Sequence, residues 1–157
     1  MKNFKILWVI ICVLLLLLIA IMYKFIQGSV AVSDDERVAV VLSKDERNLI
    51  LGEMRNFLVS TQKISEAITN DDMELVAALA KSAGMEAEKN TPGSLLAKIP
   101  LPMKTLGFAT RKGFDQISAD AVKLRIPIHS RRQLDRLLNN CIACHASFKI
   151  VAEETGQ

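Results

Sequence analysis

Residues Ile6 to Met22 form a run of seventeen positions without a charge, with Lys2 and Lys5 before it and, beyond Lys24, more apolar character at Phe25 and Ile26. Nothing else in the chain restricts its architecture as much. About twenty apolar residues cross the hydrocarbon core of a bilayer, and a flanking lysine can reach the interface, so this run is just long enough to span. A secretory signal peptide is the competing reading, because Ser29-Val30-Ala31 offers a small-x-small cleavage site. Signal peptides, however, usually carry apolar regions of about 7 to 15 residues, and length therefore favours an uncleaved anchor over residues 1–27. Trp8 and Tyr23 lie near the two ends of the run, where amphipathic rings prefer the interface. Lys2, Lys5 and the terminal amine outweigh Lys24, which sets the remainder of the chain outside the cytoplasm. Cys12 lies within the run with no lipid-attachment box around it and reads as a small hydrophobe.

The remainder of the 157 residues is enough for one modest domain. Only 5% of the chain is aromatic, and Leu, Ala, Lys and Glu are abundant after residue 43, a helical composition. The formal charge of +3 comes from Lys2, Lys5 and Lys24, since the other basic residues balance the acidic ones. No basic patch follows, and a nucleic-acid partner has no support.

Residues 28–42 read as a linker, with Gly28, a charged knot at Asp34 to Arg37 and a short apolar patch at Val38 to Leu42. Ser43-Lys44-Asp45-Glu46 fits a capping box that opens a first domain helix running to about Ile68. Its apolar positions, Ile50, Leu51, Met54, Phe57, Leu58, Ile64 and Ile68, approximate a 3.6-residue stripe. Thr69-Asn70-Asp71 starts a second helix that ends near Lys89, where Asn90-Thr91-Pro92-Gly93 breaks the pattern. Pro100 and Pro102 delay the third until about Met103, from which it runs to about Lys123. Past Pro127, Ser130-Arg131-Arg132-Gln133 fits another capping box, and Leu134, Leu137, Leu138, Cys141, Cys144, His145 and Phe148 follow at helical spacing. Four amphipathic helices with short connections predict an all-α fold: an up-down-up-down bundle over residues 43–150, with 151–157 as a tail.

Cys141-Ile142-Ala143-Cys144-His145 carries the chemistry. The C-x-x-C-H run is the attachment signature of a c-type haem: two thiols at this spacing add to two vinyl groups of one porphyrin, and the next imidazole supplies a nitrogen to the iron. On a helix, positions i, i+3 and i+4 share a face, so all three side chains meet one macrocycle. A thioredoxin-like motif would need a βαβ context. A zinc site would need four ligands, and beyond the cluster only Cys12 and His129 remain. His129, next but one to Pro127, reads as a surface histidine. In a bacterium such haems are mounted on the outer side of the inner membrane, in agreement with the predicted periplasmic side of a single-pass anchor.

Residues 43–150 resemble the class II cytochromes c, the cytochromes c′ and their low-spin relatives, whose haem motif lies near the C-terminus of a four-helix bundle. The resemblance rests on Cys141-Ile142-Ala143-Cys144-His145 followed by Phe148 and Lys149, where the family commonly has an aromatic and then a basic residue. Gly52-Glu53-Met54-Arg55 and Leu106-Gly107 ahead of Phe114-Asp115 are weaker signals. The resemblance implies one covalent haem c per chain on Cys141 and Cys144, with His145 as proximal ligand.

The opposite face of the iron decides the function. At about 1.5 Å per residue Met54 lies roughly 16 Å into its helix, level with His145 in an antiparallel bundle. Met85 and Met103 are at the correct end as well, while Met73 is at the far end. The resemblance selects Met54, because low-spin members use a methionine of the first bundle helix; Met54 is otherwise core filling and the iron five-coordinate. Phe57 and Phe148 are expected on or near the porphyrin. Arg47, Arg55 and Lys149 are in reach of propionates, although charges on amphipathic helices usually face water. The function that follows is a membrane-anchored electron carrier served by redox partner proteins, with methionine ligation raising the potential. The alternative is a cytochrome c′-like binder of nitric oxide or carbon monoxide. No distal acid–base pair is legible, so no enzyme is expected. A homodimer rests on family analogy alone.

Overall fold

The computed structural model describes residues 2–153. Helix α1, Lys2–Gln27, meets the rest only near its C-terminal end, and every residue from Lys5 to Gln27 is exposed. The stretch Lys5–Gln27 is long and apolar enough to cross a membrane, and none of it is buried inside the molecule. Beyond it the chain is mostly helical, but it is not all-α as the periodicity predicts. Strands β1 (Val30–Ala31), β2 (Val38–Leu42) and β3 (Phe148–Ala152) form a small sheet in the order β1-β2-β3.

The sheet overturns two local expectations. Residues 28–42 are not a plain connection: β1 pairs antiparallel with β2, Val30 opposite Val40. Phe148 does not continue the last helix but opens β3, which runs parallel to β2 from Val38↔Phe148 to Leu42↔Ala152. The physical reason is the β-branched content of Val-Ala-Val-Val-Leu and Phe-Lys-Ile-Val-Ala, two short apolar runs that satisfy each other's backbone groups. Val40 and Leu42 are fully buried as a result. Of the expected tail, Val151 and Ala152 belong to β3, and residues 154–157 lie outside the described residues.

Helix α2, Lys44–Thr69, opens on the expected capping box, with the Ser43 hydroxyl accepting from the Glu46 amide and the Glu46 carboxylate accepting from the Ser43 amide. Helix α3 covers Met73–Ala83 only. It stops at Gly84 because Asp115 occupies the space a Cβ would need there and accepts the Met85 amide at 3.0 Å. A 3-10 turn, Met85–Asn90, and the short helix α4, Gly93–Lys98, replace its predicted end. Helix α5 spans Leu101–Leu124, two residues earlier than the prolines suggest, with Pro102 in the first turn where its missing N–H costs nothing. Helix α6, Pro127–Ser147, likewise begins on its proline. Ser130 is therefore an interior helical residue, 1% exposed, and the second capping box does not form.

Helices α3 and α6 each pack against both α2 and α5. Between them lies a core of Ile64, Ile68, Val76, Phe114, Ile117 and Leu134 with alanines that allow close approach. A second core, built from Val40, Leu42, Ile50, Leu95, Ile99 and Met103, fills the end where the sheet and α4 close the molecule.

Candidate cofactor site

The C-x-x-C-H run occupies the last two turns of α6, at the border between the two cores. Cys141 packs against the first and Cys144 against the second. Both thiols are free and half-buried. Burial raises the pKa of each, and a neighbouring Cys141 charge adds to the effect at Cys144. Among the described residues no group of three or more His, Cys, Asp and Glu side chains is arranged to hold a metal ion directly.

A cavity of about 180 Å³ lies against the motif, and its lining includes Cys144, His145, Met54, Met103, Phe148 and Arg37. It brings His145 and Met54 together, as the depth argument requires. It also admits Met103, whose side chain is buried at the start of α5. Met85, the third methionine of that argument, instead lines a separate surface recess beside Lys81 and Asp115. A second space of about 80 Å³ shares Met54 and Met103 in its lining and is also bordered by Phe57, Thr91 and Arg111. The ring of Phe57 stacks on Phe114 with centroids 5.7 Å apart.

The polar fittings are specific. Arg111, 5% exposed, pairs with Glu88 at 2.5 Å and Glu53 at 3.2 Å, and its guanidinium lies 4.9 Å from the Phe57 ring centroid. Burial pushes the Glu53 carboxyl above its usual range despite the arginine. At the opposite rim Arg37 donates to the His145 backbone carbonyl at 3.4 Å and pairs with Asp35 at 2.6 Å. Lys149 pairs with Asp34 at 2.6 Å.

No known protein family, curated protein or solved structure matches the chain.

The fit of a haem must be judged on the residues themselves. Among the described residues the Thr91 hydroxyl is buried with no hydrogen-bond partner, and Thr91 lines the second space, which Met54 also lines. An orphaned donor of this kind costs on the order of 1–3 kcal/mol unless something accepts from it. A macrocycle carboxylate is such an acceptor. Cys144 and His145 line the cavity with the Met54 thioether, while Cys141, one turn back on the same helix, packs against the first core; two thiols at this spacing, an imidazole and a thioether are a set of side chains that fits haem c. Of the basic residues considered from sequence, Arg55 is exposed and away from the cavity, and Lys149 lines it. Arg37 and Arg111 are the cationic neighbours that sequence reasoning missed. His129 is at the surface, as expected, with Nε2 3.3 Å from Asp120 Oδ2.

Proposed function

We propose that the chain is a membrane-anchored mono-haem c-type cytochrome that carries electrons with low-spin iron held between His145 and Met54. The reading rests on one observation: the cavity against the C-x-x-C-H helix end is lined by His145 and Met54 together. Two finer readings accompany it. Helices α2, α3, α5 and α6 are a four-helix bundle of the class II cytochrome kind, and the bundle lies on the periplasmic side of an inner membrane spanned by α1. What supports the first is the cyclic packing of those four helices; what supports the second is the charge on the N-terminal flank.

Each residue has a defined task. The Cys141 and Cys144 thiols would hold the macrocycle to α6 by adding to its two vinyl groups, each vinyl taking up one sulfur and one thiol proton. The His145 imidazole, next to Cys144, would hold the iron, and Met54 on α2 would exclude exogenous ligands from it. Phe148 walls the cavity, Phe57 lines the neighbouring space beyond Met54, and the rim cations Arg37 and Lys149 would meet the carboxylates. When bound, haem c supplies a one-electron ferric–ferrous couple, whose potential methionine ligation raises.

The test is to express the whole chain in a host that attaches haem c and to record oxidised and reduced spectra with and without carbon monoxide. A low-spin spectrum indifferent to the gas is expected. A high-spin spectrum that shifts at once would convert the reading to a gas-binding module, and absence of covalent haem would end both.

A further inference from the structure

The membrane helix is built into the domain at its C-terminal end. Lys104, 6% exposed, donates from Nζ to the Phe25 carbonyl at 3.0 Å and lies 3.6 Å from the centroid of the Phe25 ring. That carbonyl is among the last four of α1, which have no partner within the helix, so Lys104 caps α1 from the domain side. A cation at this end also suits the helix dipole. Burial depresses the Lys104 pKa, so the contact is kept against a desolvation cost. Gly28 follows with φ of 70°, and any Cβ there would collide with the Lys98 carbonyl. The Ser29 amide donates to that same carbonyl at 2.6 Å, and the Val41 amide donates to the Ser29 carbonyl at 2.8 Å. By Val30 the chain is already in the sheet. No slack segment separates helix from domain.

This joint adjoins the candidate haem cavity. Met103, the residue before Lys104, lines it together with Cys144 and His145. At the same end Leu101 and Val32 are apolar and exposed, Val32 completely. Around the cavity and the joint Arg37 pairs with Asp35, Lys149 with Asp34 and Lys98 with Glu46.

We propose that α1 and the domain move as one body through the Lys104 joint, holding the Cys144–His145 cavity at the bilayer surface, and that the redox partner is another membrane-embedded protein met within the plane of the membrane. A flexible tether would let the domain sweep a volume and meet soluble partners; a rigid joint gives up that reach for a fixed geometry at high local concentration. The partner rests on the cytochrome reading, whereas the joint does not.

The experiment uses the full chain in phospholipid vesicles whose headgroups carry a nitroxide. Amide hydrogen exchange at Ser29 and Val41 is expected to be slow in the unaltered chain, with or without haem. It should become many-fold faster in Lys104→Ala and in a variant with four Gly/Ser residues inserted after Gln27. Exchange at unstructured-chain rates in the unaltered protein would overturn the joint. With haem attached, ferric iron should shorten the relaxation of the headgroup nitroxides, and the insertion should remove most of that effect. Relaxation that is absent, or the same in both proteins, would overturn the placement at the surface and leave a domain free to meet soluble partners. A chain that takes up no haem would remove the cytochrome reading and the partner with it, while the exchange rates still decide the joint.

Discussion

At the scale of single residues, two methionines share one cavity, and their positions separate their roles. Met54 is half-buried on α2, whereas Met103 is locked in the second core beside Ile99 and Leu95. Met54→Ala is expected to open the iron to carbon monoxide and to lower the potential, while Met103→Ala should leave the low-spin spectrum in place and reduce stability by roughly 2–5 kcal/mol. The reverse result in a carbon monoxide titration would move the distal ligand to Met103. Arg111 is a second test. Removing it leaves the half-buried Glu53 and Glu88 carboxylates without their cation, so Arg111→Ala should cost about 1–3 kcal/mol, read as a lower denaturant midpoint. That Cys144, His145 and Met54 share a cavity was legible from helical spacing and depth along the helices, whereas the packing of Cys141 against the other core was not. Arg111 was not singled out, yet it left a signal: it sits three residues before Phe114 and six before Ile117, a charge within an apolar stripe. Thr91 left none, because an orphaned hydroxyl exists only once the chain has folded around it.

At the scale of elements, the start of α2 is tied to two distant segments. Glu46 completes its capping box and also pairs with Lys98 at 2.8 Å, and Lys98 reaches Glu153 just past β3 at 3.4 Å. The Lys98 ammonium, then the Ser43 amide, hold the Glu46 carboxyl below its ordinary pKa. A carboxyl lowered in the folded state contributes stability that is fully present above its unfolded pKa of 4.5 and is lost as pH falls through the lower folded value. Thermal unfolding followed from neutral pH down through that range should therefore show a fall in midpoint that is smaller in Glu46→Gln, whose midpoint at neutral pH starts lower. Ser43→Ala should cost about 1 kcal/mol at neutral pH through loss of the cap. Three of the long helices of the domain were legible from caps, prolines and periodicity to within a few residues. The breaks were not, because Gly84 ends α3 through Asp115, thirty residues away. The sheet was hidden for the same reason: the Val38–Leu42 run shows no alternation, and its partner comes from the other end of the domain. Pro127 outranked the Ser130 box because a proline's fixed backbone already starts the helix.

At the scale of the whole molecule, charge asymmetry around α1 gives a prediction of sidedness. Protease added outside spheroplasts that retain the inner membrane should digest the domain, and inverted vesicles should protect it; protection in the opposite sense would reverse the topology. A helix long and apolar enough to span a membrane was legible in sequence, but the joint was not, since Lys104 reads as one more surface lysine until Phe25 is seen above it. The parallel pairing of β2 with β3 carries a further consequence, for the order of events in folding. β3 is the last described element, yet its place is on the first long strand of the domain, so their pairing closes a contact between segments far apart in sequence and is slow to form for that reason. Until it forms, the wall that Phe148 and Ile150 contribute beside Cys144 and His145 is missing, and the cavity stays open on that side.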